Sequence, residues 1–338
     1  MTTLSVPHPV PSPAEDAENL RKAFQGWGTD EKSVIGILAH RDAAQRRQIR
    51  LAYEERFKED LIKRLESELS GDFEKAVYRW IFEPLEREAI IANVAVKSST
   101  IDYRVIIETV CINNPGELLA VKNAYQARYK RSLEEDFLVP LVGCYRYYGE
   151  EIDAGLAQSE AKILHDAMKE KVFNHEEIIR ILSTRNRAQL NATFNRFKDD
   201  FGISVTKVSF PLSLPLRASP RWLFPIFASF DLEVSLGFCR RFQELTSKSP
   251  NELVSALRIA IRCIISPHKY FEKVLRAALG NSGVDEDALT RVVVTRAEKD
   301  LRVIKEVYLQ RNNVPLDQAI AKATSKDYKN FLLALVGN

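Results

Sequence analysis

From Pro13 to the C-terminus, apolar residues recur at i, i+3 and i+4 in segments of roughly 8–16 residues, separated by short polar turns. That period predicts a chain that is nearly all helix, built from short amphipathic pieces. Ser12-Pro13-Ala14-Glu15 has the form of a capping box with proline at the first helical position, so the first helix should begin near Pro13.

The helical pattern repeats. Ile37-Leu38-Ala39-His40-Arg41, Ile181-Leu182-Ser183-Thr184-Arg185 and Val292-Val293-Val294-Thr295-Arg296 share three apolar or small positions, a polar one and an arginine. Val110-Cys111-Ile112-Asn113 is a degenerate fourth copy. Twelve residues after each comes an aromatic: Tyr53, Tyr125, Phe197 and Tyr308. Each copy then carries an acid followed by an apolar residue, at Asp72-Phe73, Asp136-Phe137, Glu252-Leu253 and Asp327-Tyr328. Four copies predict four units, at 13–83, 84–152, 160–265 and 267–338, with 1–12 as an N-terminal tail.

The distance between the last two anchors is 20 residues in copies one and four, 56 in copy three and 12 in copy two. Copy three therefore contains 36 extra residues, and joining Lys207 to Glu244 restores its helical pattern. The block 208–243 holds six of the 17 phenylalanines and four of the 14 prolines but only two acids, Asp231 and Glu233. Its proline density and lack of period argue against a packed element. It begins with valine, whose codons start GT, and ends with glutamine, one of whose codons is CAG. A translated retained intron is one reading; a lipid-inserting loop carrying Trp222, Phe224 and Phe227 is the other. Copy two is shortened between Glu135 and Leu141, and Pro140 then falls where the other copies have helix interior, which predicts a weakened or kinked segment.

Composition narrows the function. The 338 residues carry a net charge of +3, too little for a dedicated nucleic-acid binder though compatible with anionic lipid. Cys111, Cys144, Cys239 and Cys263 form no CxxC pair and no zinc spacing, which suits a reducing compartment. Met1 to Pro13 lacks the basic and apolar regions of a secretory signal, and no run of 18 uncharged apolar residues occurs. These features predict a cytoplasmic protein whose membrane role, if it has one, is peripheral.

The candidate chemistry lies in Gly26-Trp27-Gly28-Thr29-Asp30, followed 38 residues after Asp30 by Glu68. Two glycines let the backbone turn with its carbonyls facing one point, because glycine tolerates positive φ. Carbonyls converging with one bidentate carboxylate suit Ca²⁺, which takes six to eight oxygens at about 2.3–2.6 Å. At the loop tip, Trp27 presents an amphipathic ring suited to a lipid headgroup layer. Taken alone, the pentapeptide also reads as a tight turn in which Thr29 caps the next helix.

The fourfold period of about 70 residues, the GxGTD loop opening the first copy and the acid 38 positions later together resemble the annexins. The GWGT loop, the degenerate middle copies and the ending LLALVGN are most similar to plant members. The resemblance covers residue 15 to the C-terminus apart from 208–243, and it implies a curved all-α disc of four repeats, each of about five short helices. It further implies Ca²⁺-dependent, peripheral attachment to anionic phospholipid, with a part in stress response or membrane trafficking. Carried over by position, the ligands are the carbonyls of Phe24, Gly26 and Gly28 and the side chain of Glu68, with water and lipid phosphate completing the shell. Ion and lipid would then strengthen each other's binding.

In copy four the loop Gly280-Asn281-Ser282-Gly283-Val284-Asp285 retains Gly283, but Ala323 stands where the acid belongs and Asp327 is out of register, so this site is expected to be impaired. Copies two and three lack GxG, at Ser98-Ser99-Thr100-Ile101-Asp102 and Lys171-Val172-Phe173-Asn174-His175, and are expected not to bind Ca²⁺ this way.

The same resemblance offers a second class of function, redox-linked or cation-conducting. It would rest on His40, linked to haem and peroxidase activity in plant annexins, and on Cys111 and Cys263 as a redox pair. A histidine without a second ligand motif and buried thiols are the plainer readings. Ile179-Arg180-Ile181 resembles a short F-actin contact motif, although an amphipathic helix face explains it as well. No GxxxxGK[ST] loop, catalytic triad or paired-carboxylate site occurs, so the chain is not expected to be an enzyme. The sequence does not define an oligomeric state.

Overall fold

The computed structural model describes residues 2–26, 28–98, 102–133, 149–169, 176–205, 250–280 and 283–337. The regular structure among them is all helix joined by short turns, with no strand. Trp27, the block 208–243 and the shortened stretch of copy two between Glu135 and Leu141 lie outside the described residues.

Copy one supplies five helices, α1 (Pro13–Ala23), α2 (Glu31–Leu38), α3 (Ala43–Phe57), α4 (Leu61–Glu68) and α5 (Gly71–Ile81). Copy two contributes α6 (Pro84–Lys97), α7 (Tyr103–Ile112) and α8 (Pro115–Tyr129). In copy three stand α9 (Ala154–Lys169), α10 (Glu176–Thr184), α11 (Arg187–Phe201) and α12 (Pro250–Ile265). Copy four again has five, α13 (Pro267–Ala278), α14 (Glu286–Arg296), α15 (Leu301–Asn312), α16 (Leu316–Ala323) and α17 (Lys326–Val336). The first helix begins where the capping pattern placed it: Ser12 Oγ accepts from the Glu15 N–H at 3.2 Å, with Pro13 at the first position.

Local signals recur copy by copy. The loop between the first two helices is closed by a main-chain bond reaching back seven residues, from the Asp30 N–H to Ala23 O at 2.9 Å and from the Asp285 N–H to Ala278 O at 2.9 Å. In copy two the Asp102 N–H reaches Ala95 O at 3.1 Å. Each aspartate then caps the helix that follows with its side chain, satisfying an N–H that has no partner inside the helix. The third helix of copies one to three starts at an Asx cap, Asp42, Asn114 or Asn186. In copy four the corresponding cap is lost: Asp300 precedes α15 without a side-chain capping bond.

All four aromatic anchors, Tyr53, Tyr125, Phe197 and Tyr308, are buried. Five residues beyond each, the chain turns through a left-handed residue, Lys58, Lys130, Gly202 or Asn313. A recurring arginine closes the core in two copies. Arg41 Nε meets Asp16 at 2.7 Å, and Arg185 Nε meets Glu160 at 2.7 Å, each spanning 25 residues. Both acids are buried, so an unpaired carboxylate there would be costly.

The chain divides into two compact units, 1–91 with 268–338 and 92–267. The first joins copies one and four. There α5 packs on α14 and α17, and α2 packs on α17. At its centre the buried Arg46 and Arg87 both reach Glu298, at 3.1 and 3.3 Å, and lie 3.8 and 4.6 Å from the ring centre of Trp80. The Trp80 indole donates to Leu38 O at 2.7 Å. In the second unit α9 packs on α11, while α12 covers α7 and touches α11. Asn93 Nδ2 there donates to the buried Tyr125 hydroxyl at 2.9 Å.

Candidate metal centre

The GxGTD loop joins α1 to α2, and α4 ends beside it. Phe24 caps α1, then Gly26 and Gly28 take φ of 114° and 90°, a region side chains rarely adopt. Nothing lies within 4 Å of where a Cβ would stand on either, so backbone conformation rather than crowding calls for glycine. Asp30 is occupied with its own helix. It accepts from the Ser33 hydroxyl at 2.6 Å and the Ser33 N–H at 3.2 Å, and these bonds hold its carboxyl below the usual carboxylate range.

The cap of α2 is thus Asp30 and not Thr29. Thr29 turns the other way and donates its hydroxyl to Glu68 Oε2 at 2.7 Å. Glu68, the last residue of α4, is half-buried, and its Oε1 lies 2.7 Å from Arg64 Nη2. The same Nη2 donates to Phe24 O at 3.1 Å. One carbonyl of the expected ligand set and the expected carboxylate therefore converge on a single positive group. The donor set is all oxygen, and the oxygens already face a cation, so the residues fit a hard divalent ion. Among the described residues no cluster of three or more His, Cys, Asp or Glu is gathered for a metal. A cation here would depend on main-chain oxygens.

Two neighbours of this centre were not singled out by the sequence reading: Arg64 and, as a partner of Glu68, Thr29. Arg64 had a legible signal, since a residue four before Glu68 on a helix shares its face. Its reach across to Phe24 had none. Around it, Phe24 packs edge-on against Tyr53 with ring centres 6.4 Å apart. Glu59 accepts from Arg21 and from the Tyr53 hydroxyl, and its Oε1 stands 3.8 Å from Arg64 Nη1.

In copy four Gly283 repeats the positive φ, at 117°, while Ala323 closes α16 and brings no carboxylate. His40 follows α2, with its Nδ1 2.9 Å from Ser5 O, so the tail occupies one ring nitrogen. Cys111 on α7 and Cys263 on α12 are both buried, on helices that pack together. In the segment at 179–181, Ile181 is buried and Arg180 Nη2 lies 3.8 Å from Glu160, as expected of helix packing.

The family model described as Annexin matches residues 15–80, 159–208 and 270–335. The second segment, in copy three, stops at the first residue of the atypical block. Annexin-like protein RJ4 of Fragaria ananassa is 55% identical over 334 residues, covering 96% of this chain and 95% of that protein. Annexin D7 of Arabidopsis thaliana is 46% identical, covering 100% of this chain and 99% of its own length. Among solved structures, chicken annexin V in complex with Zn²⁺ superposes with a TM-score of 0.82 at 28% identity, covering 100% of this chain and 98% of that one.

Proposed function

This chain belongs to the annexin family, whose members in general bind phospholipid in a calcium-dependent way, and on that premise we propose that its loop 24–30 and Glu68 hold a Ca²⁺ ion against an anionic membrane. The observation that carries this reading is the convergence of Phe24 O and Glu68 Oε1 on one cationic nitrogen, at 3.1 and 2.7 Å. Bound Ca²⁺ supplies a positive charge that ties protein oxygens to lipid phosphate. The chain's own part is to bend the backbone at Gly26 and Gly28, present the carbonyls of Phe24, Gly26 and Gly28, and close the site with Glu68. Thr29 orients that carboxylate. Trp27, at the tip of the loop sequence, is the residue we assign to the lipid interface.

Attachment is peripheral in this reading. No helix among the described residues is long and apolar enough to cross a membrane. With Ala323 in place of the acid in copy four, attachment rests mainly on copy one, so it is less cooperative than several sites would make it. Ca²⁺-triggered binding would serve stress response or membrane trafficking, as part of a binding protein rather than an enzyme. A haem role for His40 would require its Nδ1 to leave Ser5 O, or the opposite ring nitrogen to serve, and nothing in the geometry favours that reading.

Vesicle sedimentation tests the proposal. The full chain should pellet with phosphatidylserine vesicles only when Ca²⁺ is present, and Glu68→Gln should lose that dependence. Equal pelleting of the variant, or pelleting of the wild type in chelator at physiological salt, would overturn it.

A further inference from the structure

We infer that Arg64 is a built-in competitor for the metal centre: its guanidinium holds the place of the divalent cation until the ion displaces it, and so sets how much Ca²⁺ the site requires. The inference rests on the assignment of that centre to Ca²⁺.

Three features of Arg64 lead here. First, one nitrogen, Nη2, binds both the carbonyl of Phe24 and the carboxylate of Glu68, which belong to different helices. An ordinary i,i+4 helix pair would engage Glu68 alone. A cation entering between these oxygens meets a positive charge already seated there. Like charges repel strongly where water is partly excluded, so both cannot occupy the site. Second, Arg64 Nε is buried with no hydrogen-bond partner, so the present seat leaves a donor of the guanidinium unmet. Third, a second acid stands close by. Glu59 Oε1 is 3.8 Å from Nη1, while its other oxygen accepts from Arg21 and Tyr53, so the guanidinium can pivot towards Oε1.

The exchange is a swap of ion pairs. Without Ca²⁺, Arg64 neutralises Glu68; with Ca²⁺, Glu68 and Phe24 O turn to the metal and Arg64 retains Glu59. Each binding event must therefore break the Arg64–Glu68 contact, which multiplies the apparent affinity by the small fraction of molecules in the open form. The result is a site that responds only to high local Ca²⁺, or to Ca²⁺ together with a lipid phosphate.

The test is a calorimetric Ca²⁺ titration of the full chain without lipid, for wild type, Arg64→Ala, Arg64→Gln and Glu68→Gln. Thermal melts in chelator and in saturating Ca²⁺ are run beside it. Arg64→Ala and Arg64→Gln should each tighten Ca²⁺ binding about tenfold, a change well within what losing one close charge can produce. Their melting temperature should fall in chelator but rise more on adding Ca²⁺ than that of the wild type. Unchanged or weaker Ca²⁺ binding in both arginine variants, with Glu68→Gln still abolishing it, overturns the competitor role and leaves the site assignment standing. Glu68→Gln binding Ca²⁺ as the wild type does would remove the site, and the competitor role with it.

Discussion

Thr29 Oγ1 donates to Glu68 Oε2 at 2.7 Å, a bond that ties the loop after α1 to the end of α4 across 39 residues. It fixes which way the carboxylate faces, while Arg64 takes the opposite oxygen. Replacing the hydroxyl by a methyl in Thr29→Val retains the volume and removes the donor. We expect Ca²⁺ affinity to fall about three- to tenfold, matching the roughly 1 kcal/mol of a net hydrogen bond. Helix content should be unchanged. Calorimetric titration beside a circular dichroism spectrum checks both.

Gly26 and Gly28 have room for a side chain but not the backbone for one, at φ of 114° and 90°. Gly26→Ala and Gly28→Ala should each cost about 1–2 kcal/mol within the loop if the turn is preserved. Because the loop is a local feature of the chain surface, it is expected to re-form differently rather than unfold the protein. The expected outcome is loss of Ca²⁺-dependent vesicle binding with a melting temperature within a few degrees of wild type. A large drop in melting temperature would show that the loop supports the core.

Glu298 pairs with two buried arginines, Arg46 and Arg87, brought from 252 and 211 residues away. Burial and the neighbouring Arg46 push the Arg87 guanidinium down to about 9, so its charge is already poorly tolerated. Glu298→Gln leaves both cations without their carboxylate. A loss of about 3 kcal/mol is expected, as for breaking a buried pair by removing one partner. Urea unfolding measures it, and a loss under about 0.5 kcal/mol, the range of ordinary surface changes, would contradict the arrangement.

The same carboxylate gives a pH dependence with a definite sign. Burial alone would raise Glu298, but Arg46 and Arg87 outweigh it and hold the carboxyl below its ordinary value. A depressed carboxyl contributes stability above its unfolded value of about 4.3. That contribution disappears as pH falls from there through the lower folded value. The melting temperature should therefore decline below about pH 4.3, and Glu298→Gln should flatten part of the decline. Parallel curves for the two proteins would show that Glu298 does not carry it.

Much of the architecture was legible along the chain because its causes are local. The i, i+3, i+4 period, the cap at Ser12 and the aromatic anchors act within a few turns of helix. The glycines of the loop are local too, since positive φ is a property of one residue. What a residue does across space was less legible. Thr29 is polar, precedes a helix and would serve as its cap; only the placement of α4 beside the loop turns its hydroxyl to Glu68 instead.

By itself the sequence determined an all-helical chain of four copies, a glycine-bent loop in the first, and a missing acid at Ala323 in the fourth. Each of these is written in residue type and spacing. Only the tertiary structure decided that Arg64 joins Phe24 O to Glu68, and that Arg46 and Arg87 meet Glu298. Long charged side chains have no periodic signal, and their partners are chosen by which helices end side by side. Where charge is taken out of water, that choice governs the stability of the first unit and, in the proposed metal centre, the readiness to receive an ion.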